Sequence, residues 1–184
     1  SLVGSEMCIR DRVYPADFQL VLAANPCACQ RVKGQCSCKS PQRARHLSNV
    51  SGPLKDRLDV FVTTSGDAAV LSPRDAEPSI SIAERVAAAR ERAAVRWAKA
   101  GCNEDVNGRV PATLIRRHFP AKEAAMAMLQ AELIQGKITQ RGVDKCLKLA
   151  WTLADLEEMD QPDIHHACRA VEMREHQLQR EEVA

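Results

Sequence analysis

Two short apolar runs and a long helical pattern divide the chain. Leu20 to Ala24 is apolar and stops at Asn25-Pro26, which predicts a buried strand with a polar side chain at its C-terminal tip. Ligands of open α/β sheets gather beyond the carboxyl ends of strands, so Asn25 is a candidate for touching one. Val60 to Val62 predicts a second strand, directly after Asp56-Arg57-Leu58-Asp59. Ser65-Gly66-Asp67, Leu71-Ser72-Pro73 and Pro78 then mark a loop.

From Ser81 onward the period becomes helical. Ile82, Val86, Ala89, Ala93 and Trp97 recur at four- and three-residue steps, while Arg85, Arg90, Arg92 and Arg96 read as the solvated face. Ser81 and Glu84 have capping-box spacing, and Gly101 ends the helix. Leu114–His118 predicts a second helix, stopped by Phe119-Pro120, and Ala121–Gln135 a third, closed by Gly136. A fourth begins at the N-cap Thr139 and buries Val143, Leu147, Ala150 and Ala154. A last one has Pro162 in its first turn, with Ile164, Ala167, Cys168 and Val171 inward and His165 and His166 on the solvated face.

Length and composition narrow the class. The 184 residues suit one core or two small subdomains, and 45% apolar content is that of a globular protein. A net charge of +2 from interspersed charges argues neither for nor against nucleic acid. No run approaches the ~18 apolar residues of a membrane span, and no secretory leader is recognisable, so the expected location is cytoplasmic with no membrane partner. Aromatics make up 3%, with Trp97 and Trp151 far apart, which argues against a base-stacking platform.

Position divides the eight cysteines. Cys102, Cys146 and Cys168 stand alone in helical context, as small buried hydrophobes do, and Cys8 lies near the start. Cys27-Ala28-Cys29 and Cys36-Ser37-Cys38 form two C-x-C pairs, with Gly34 supplying a reversal between them. Without a secretory leader such clustering points to metal more than to disulfides, and four thiolates complete a tetrahedral Zn²⁺ site. A structural Zn²⁺ and a reduced, metal-free loop both remain open; His46 could substitute for one thiolate, but it is read as packing near the loop's return.

Four segments carry a resemblance. LVLAANPCAC followed by SGPLKDRLD, then Glu77-Pro78-Ser79 through RVAAARERAAVRW, then ITQRGVDKCLKLAWTLADLE, and finally Asp163 to Arg174 resemble, in order, motifs of the magnesium-chelatase-like AAA+ ATPases, including their bacterial competence branch. The resemblance covers nearly everything from Tyr14 to Arg174. It implies a mainly α fold with a short α/β part: the tail of an AAA+ nucleotide-binding core over 13–64 with a Cys-rich insertion, a linker over 65–78, an all-helical lid over 79–176 and a tail over 177–184. Residues 1–12 match none of these motifs and are read as a non-native leader.

No G-x-x-x-x-G-K-[S/T] occurs, and no apolar strand ends in the paired acids of a Walker B site. In family order both precede Tyr14, so the chain is expected to be the C-terminal part of a larger ATPase, inactive by itself, with the main ATP and Mg²⁺ ligands elsewhere. The resemblance carries three residues over. Asn25 matches the sensor-1 asparagine that orients the attacking water. Arg57 matches an arginine finger, a device worth roughly 10³–10⁵ in rate. Arg141 matches the sensor-2 arginine coupling lid to nucleotide. Their ordinary readings are a turn-bonding asparagine, a salt bridge of Arg57 to Asp56 or Asp59, and a surface charge in a helix's first turn. Lys55, Asn49 and Ala28 depart from the family pattern around the SGP and C-x-C motifs, but the three site positions do not.

For the intact protein the resemblance implies ATP hydrolysis in a homo-oligomeric ring, a hexamer, driving DNA branch migration in recombination during natural transformation. Two alternatives stand beside it: a chelatase-type motor for metal insertion, and a zinc-stapled helical interaction module with no nucleotide role.

Overall fold

A computed structural model describes residues 18–25, 27, 29, 36–46, 48, 52–63 and 77–174, and the backbone alone at 7–9, 12–14 and 47. The linker markers between 65 and 76, Gly34 and the tail from 177 lie outside the described residues. The chain is mainly α, as the hydrophobic pattern predicts, and divides into two units, residues 1–58 with 64–68, and residues 59–63 with 69–184.

In the first unit β1 (Met7–Ile9) pairs antiparallel with β2 (Arg12–Tyr14), Cys8 opposite Val13. Two short helices follow, α1 (Ser40–Leu47) and α2 (Gly52–Arg57). The strand expected at Leu20–Ala24 does not form: the segment pairs with no strand among the described residues, and Phe18 and Val21 are 61% and 79% exposed. A buried strand needs ladder partners and cover on both faces, and nothing described here supplies them. Val60–Val62 is likewise no strand. It belongs to the second unit, where the Phe61 amide donates to the Met173 carbonyl at 2.7 Å and Asp59 pairs with Lys145 at 2.9 Å.

The second unit is helical: α3 (Ser79–Lys99), α4 (Ala112–His118), α5 (Glu123–Ile134), α6 (Gln140–Leu156) and α7 (Ile164–Glu172). α6 is its axis. Val143, Leu147, Ala150 and Ala154 are buried as the periodicity requires, and the Thr139 hydroxyl caps the helix by accepting from the Gly142 amide at 3.1 Å. Trp97 of α3, Phe119 after α4 and Trp151 of α6 meet edge-to-face with centroids 5.1 to 6.5 Å apart, and Ile115, Leu129, Ala167 and Ala170 close the core. α3 and α5 each stop on a glycine with positive φ, Gly101 and Gly136. At both ends the amide of the next residue reaches back into the last turn, Cys102 to Trp97 at 2.9 Å and Lys137 to Glu132 at 3.0 Å.

Local details differ from expectation. α3 starts at Ser79 behind Pro78, with no side-chain cap, so Ser81 and Glu84 form no capping box, and Ile82 is exposed. α7 is capped by Asp163 rather than opened by Pro162, because the Asp163 carboxylate accepts from the amides of His165 and His166 at 3.0 and 3.3 Å; Ile164 consequently faces solvent. His166 is buried, not solvated. Its Nδ1 lies 2.6 Å from the Asp163 carboxylate and its Nε2 3.3 Å from that of Glu157. Arg96 is mostly buried and ion-paired with Asp155, so the arginine face of α3 is only partly solvated. Among the described residues no helix is long and apolar enough to cross a membrane.

Candidate functional site

The first unit draws the two C-x-C pairs together. Cys27, Cys29, Cys36 and Cys38 bring all four Sγ atoms within 4.8 Å of one another, with Cys36 at 3.5 Å from both Cys27 and Cys29. All four are free thiols. Disulfide sulfurs bond at about 2.05 Å, whereas sulfurs around a tetrahedral Zn²⁺ with ~2.3 Å bonds lie about 3.8 Å apart, so the arrangement has the size of a four-thiolate metal cage. Its electrostatics are uneven. The Cys29 amide, then the Cys38 thiol, donate toward Cys27 and bring its pKa down to about 6. Cys38, as donor to Cys27 and Cys29 and beside the Cys27 charge, is pushed up to about 12. A dication bound here would relieve this conflict by accepting all four sulfurs as thiolates.

Asn25 sits two residues before this cage and is exposed. The ring Nε2 of His46 lies 3.0 Å from the Asn25 carbonyl, tying the end of α1 to the segment where the resemblance puts a nucleotide sensor. His46 thus does more than pack. No local pattern announces this link, since it spans 21 residues. Arg57 is the last residue of α2 and is exposed; its guanidinium donates to the Pro53 carbonyl at 2.8 Å, one helical turn back. Asp59, one candidate partner for Arg57, is engaged by Lys145.

Arg141 belongs to the second unit, exposed in the first turn of α6. Behind it the helix is anchored by a polar cluster that the sequence did not announce. Arg96 donates through both terminal nitrogens to Asp155, with its Cζ 4.0 Å from the Trp151 ring centroid. Asn107 accepts from Trp97 Nε1 at 2.9 Å and donates to Asp155 and Thr152 at 2.9 and 3.1 Å. Every polar atom of Asp155 is therefore satisfied although the residue is buried, which is the condition for tolerating a buried carboxylate. Lys148, whose pKa burial lowers, donates to the Gly108 carbonyl at 2.9 Å.

Comparison with known proteins adds two family matches. Residues 7–70 match the family described as magnesium chelatase, subunit ChlI, and residues 76–174 match magnesium chelatase, subunit ChlI C-terminal. The first match takes in β1 and β2 and so begins before Val13. An uncharacterized protein of Mycobacterium tuberculosis is 42% identical over 88% of this chain and 32% of its own length. YifB of Escherichia coli K12 is 32% identical over 88% of this chain and 31% of its own. Competence protein ComM of Haemophilus influenzae is 28% identical over 86% of this chain and 31% of its own. The chain thus spans about a third of the length of these relatives.

Proposed function

The chain belongs to the magnesium chelatase subunit ChlI family, and from that membership we propose that it is the C-terminal part of an AAA+ ATPase that binds and hydrolyses ATP in a ring. One observation carries the reading. The two family matches run consecutively, and the three nucleotide-site candidates fall inside them, Asn25 and Arg57 in the first and Arg141 in the second.

The roles follow from chemistry. Asn25, with an amide that both donates and accepts, orients the attacking water. Arg57 offers a fixed fork of N–H donors to nucleotide held by a neighbouring subunit, offsetting charge that develops in phosphoryl transfer. Its exposure at a helix end suits delivery outside its own unit. Arg141 contacts nucleotide held by the adjoining core and couples it to α6. The phosphates and Mg²⁺ take their main ligands from a P-loop and acidic pair outside these residues. The four-cysteine cage holds one structural Zn²⁺ that braces the excursion after Asn25. Likeness to a protein named for competence supports DNA as the material handled, with branch migration as the work done.

A second reading is favoured by the family description itself: a chelatase-type motor serving metal insertion. Turnover by the intact protein separates the two, since DNA accelerates the first and a porphyrin-handling partner the second. In the same assay Arg57→Ala lowers turnover with ATP affinity nearly intact, because a finger acts on transition-state charge. Arg141→Ala weakens affinity as well. Turnover unaffected by Arg57→Ala overturns the assignment of the finger.

A further inference from the structure

From Phe18 to Lys55 the chain contains no aspartate or glutamate, while Arg31, Lys33, Lys39, Arg43, Arg45 and Lys55 supply six cations. All 24 acids lie in the rest of the chain. The near-neutral total of +2 therefore conceals one strongly basic segment. Four thiolates around one Zn²⁺ leave roughly two negative charges, too few to cancel it.

α1 displays part of this charge. Lys39 at its N-cap, Arg43 and Arg45 are all exposed. An isolated eight-residue helix is too short to hold itself in water, so its hold is tertiary. Cys38, a member of the thiol cage, immediately precedes Lys39, and near the other end His46 reaches the Asn25 carbonyl at 3.0 Å. The helix is fastened at both ends while its cationic side chains face solvent.

We propose that α1, with Lys39 at its N-cap, forms a binding surface for the phosphate backbone of duplex DNA, engaged without regard to base sequence. A run of cations with no acids among them complements a regular polyanion, and duplex DNA carries about one negative charge per 1.7 Å of axis. No phenylalanine, tyrosine or tryptophan occurs from Gln19 to Val60, so the surface lacks the large stacking rings that single-strand binders use. The α1 sequence SPQRARHL offers no wide apolar stripe for insertion into a lipid interface. The choice of DNA rests on the DNA-handling reading above; the location does not.

The test is fluorescence anisotropy of a labelled random-sequence duplex of about thirty base pairs, titrated with the zinc-loaded 184-residue chain across a salt series without nucleotide. Each phosphate neutralised contributes roughly 0.9 to the slope of log K against log salt, so Lys39→Gln with Arg43→Gln and Arg45→Gln lowers that slope by about 2–3 and affinity by about tenfold or more. A matched triple on α3 and α4, Arg90→Gln, Lys99→Gln and Arg117→Gln, removes the same charge from exposed positions and leaves the slope unchanged. Metal content checks that the first triple is folded; should it fall, Arg43→Gln and Arg45→Gln are measured singly and each lowers the slope by about one. Equal loss by both triples, no duplex binding by the unaltered chain at low salt, or equal competition by phosphatidylserine vesicles overturns the proposal. Because the titration contains no ATP, those results leave the ATPase reading standing, whereas an intact protein without turnover refutes that reading and not this surface.

Discussion

Arg96 and Asp155, separated by 59 positions, form a two-pronged ion pair roofed by the Trp151 ring, and this pair fastens α3 to α6. Asp155 is 1% exposed at its side chain and Arg96 14%, so neither charge has enough water to fall back on if the other is removed. Breaking a buried pair by deleting one partner typically costs about 3–5 kcal/mol. Asp155→Ala is therefore expected to lower the unfolding free energy of the helical unit by about that amount in a urea titration. A loss below about 1 kcal/mol would place this pair with ordinary surface ion pairs.

A second expectation concerns α7. Asp163 caps the helix through two amides, and although burial opposes it, the His166 amide and imidazole hold its carboxyl below the usual range. A depressed carboxyl contributes stability that is present above its unfolded pKa of about 3.9 and disappears as pH falls through the lower folded value. Asp163→Ala should cost about 1 kcal/mol at pH 7, as lost N-caps do, and progressively less toward the acid limb. Thermal melts of both proteins across pH check this; a penalty that persists unchanged below the folded pKa contradicts it.

The cysteine cage makes a compositional prediction. One Zn²⁺ per chain should be found by elemental analysis of protein prepared without chelator, and Cys36→Ser should reduce it sharply. Less than about a tenth of an equivalent, unchanged by the substitution, would favour the reduced loop.

Protection should also differ along the chain. The core residues of α3 to α7 interlock, whereas Phe18, Leu20, Val21 and Leu22 are exposed apolar side chains that pair with no strand among the described residues. Limited proteolysis should leave a resistant helical product spanning about Ser79 to Arg174 and cut the region before it. Survival of the N-terminal third with digestion of the helices would refute this.

How much of this was legible in the sequence depends on whether the signal was local. The α6 stripe, the Thr139 cap and the glycine stops of α3 and α5 depend on neighbours within one turn, and the structure shows them where the pattern put them. The cysteine pairs were legible because their spacing lets one short loop gather them. Arg96 was misread since its partners, Asp155 and Trp151, come from another helix. A clue was available: Arg96 follows the buried Ala89 by seven residues, two turns along the same face. His166 was misread for the same reason, with Glu157 outside its helix, although Asp163 three residues earlier marks a capped helix start. The strands expected at Leu20–Ala24 and Val60–Val62 failed because a strand is a property of its neighbours, which a local apolar run cannot supply.

The 184-residue chain by itself should hydrolyse no ATP, since it contains no phosphate-cradling loop. The most direct measurement therefore uses the intact protein, in rings mixed from Arg57→Ala subunits and subunits lacking a working Walker A lysine. Each parent ring should be nearly inactive. If Arg57 acts across a subunit boundary, mixing restores part of the ATP turnover, because some interfaces regain both an intact phosphate loop and an intact finger. No recovery, in rings shown to have exchanged subunits, would contradict the account.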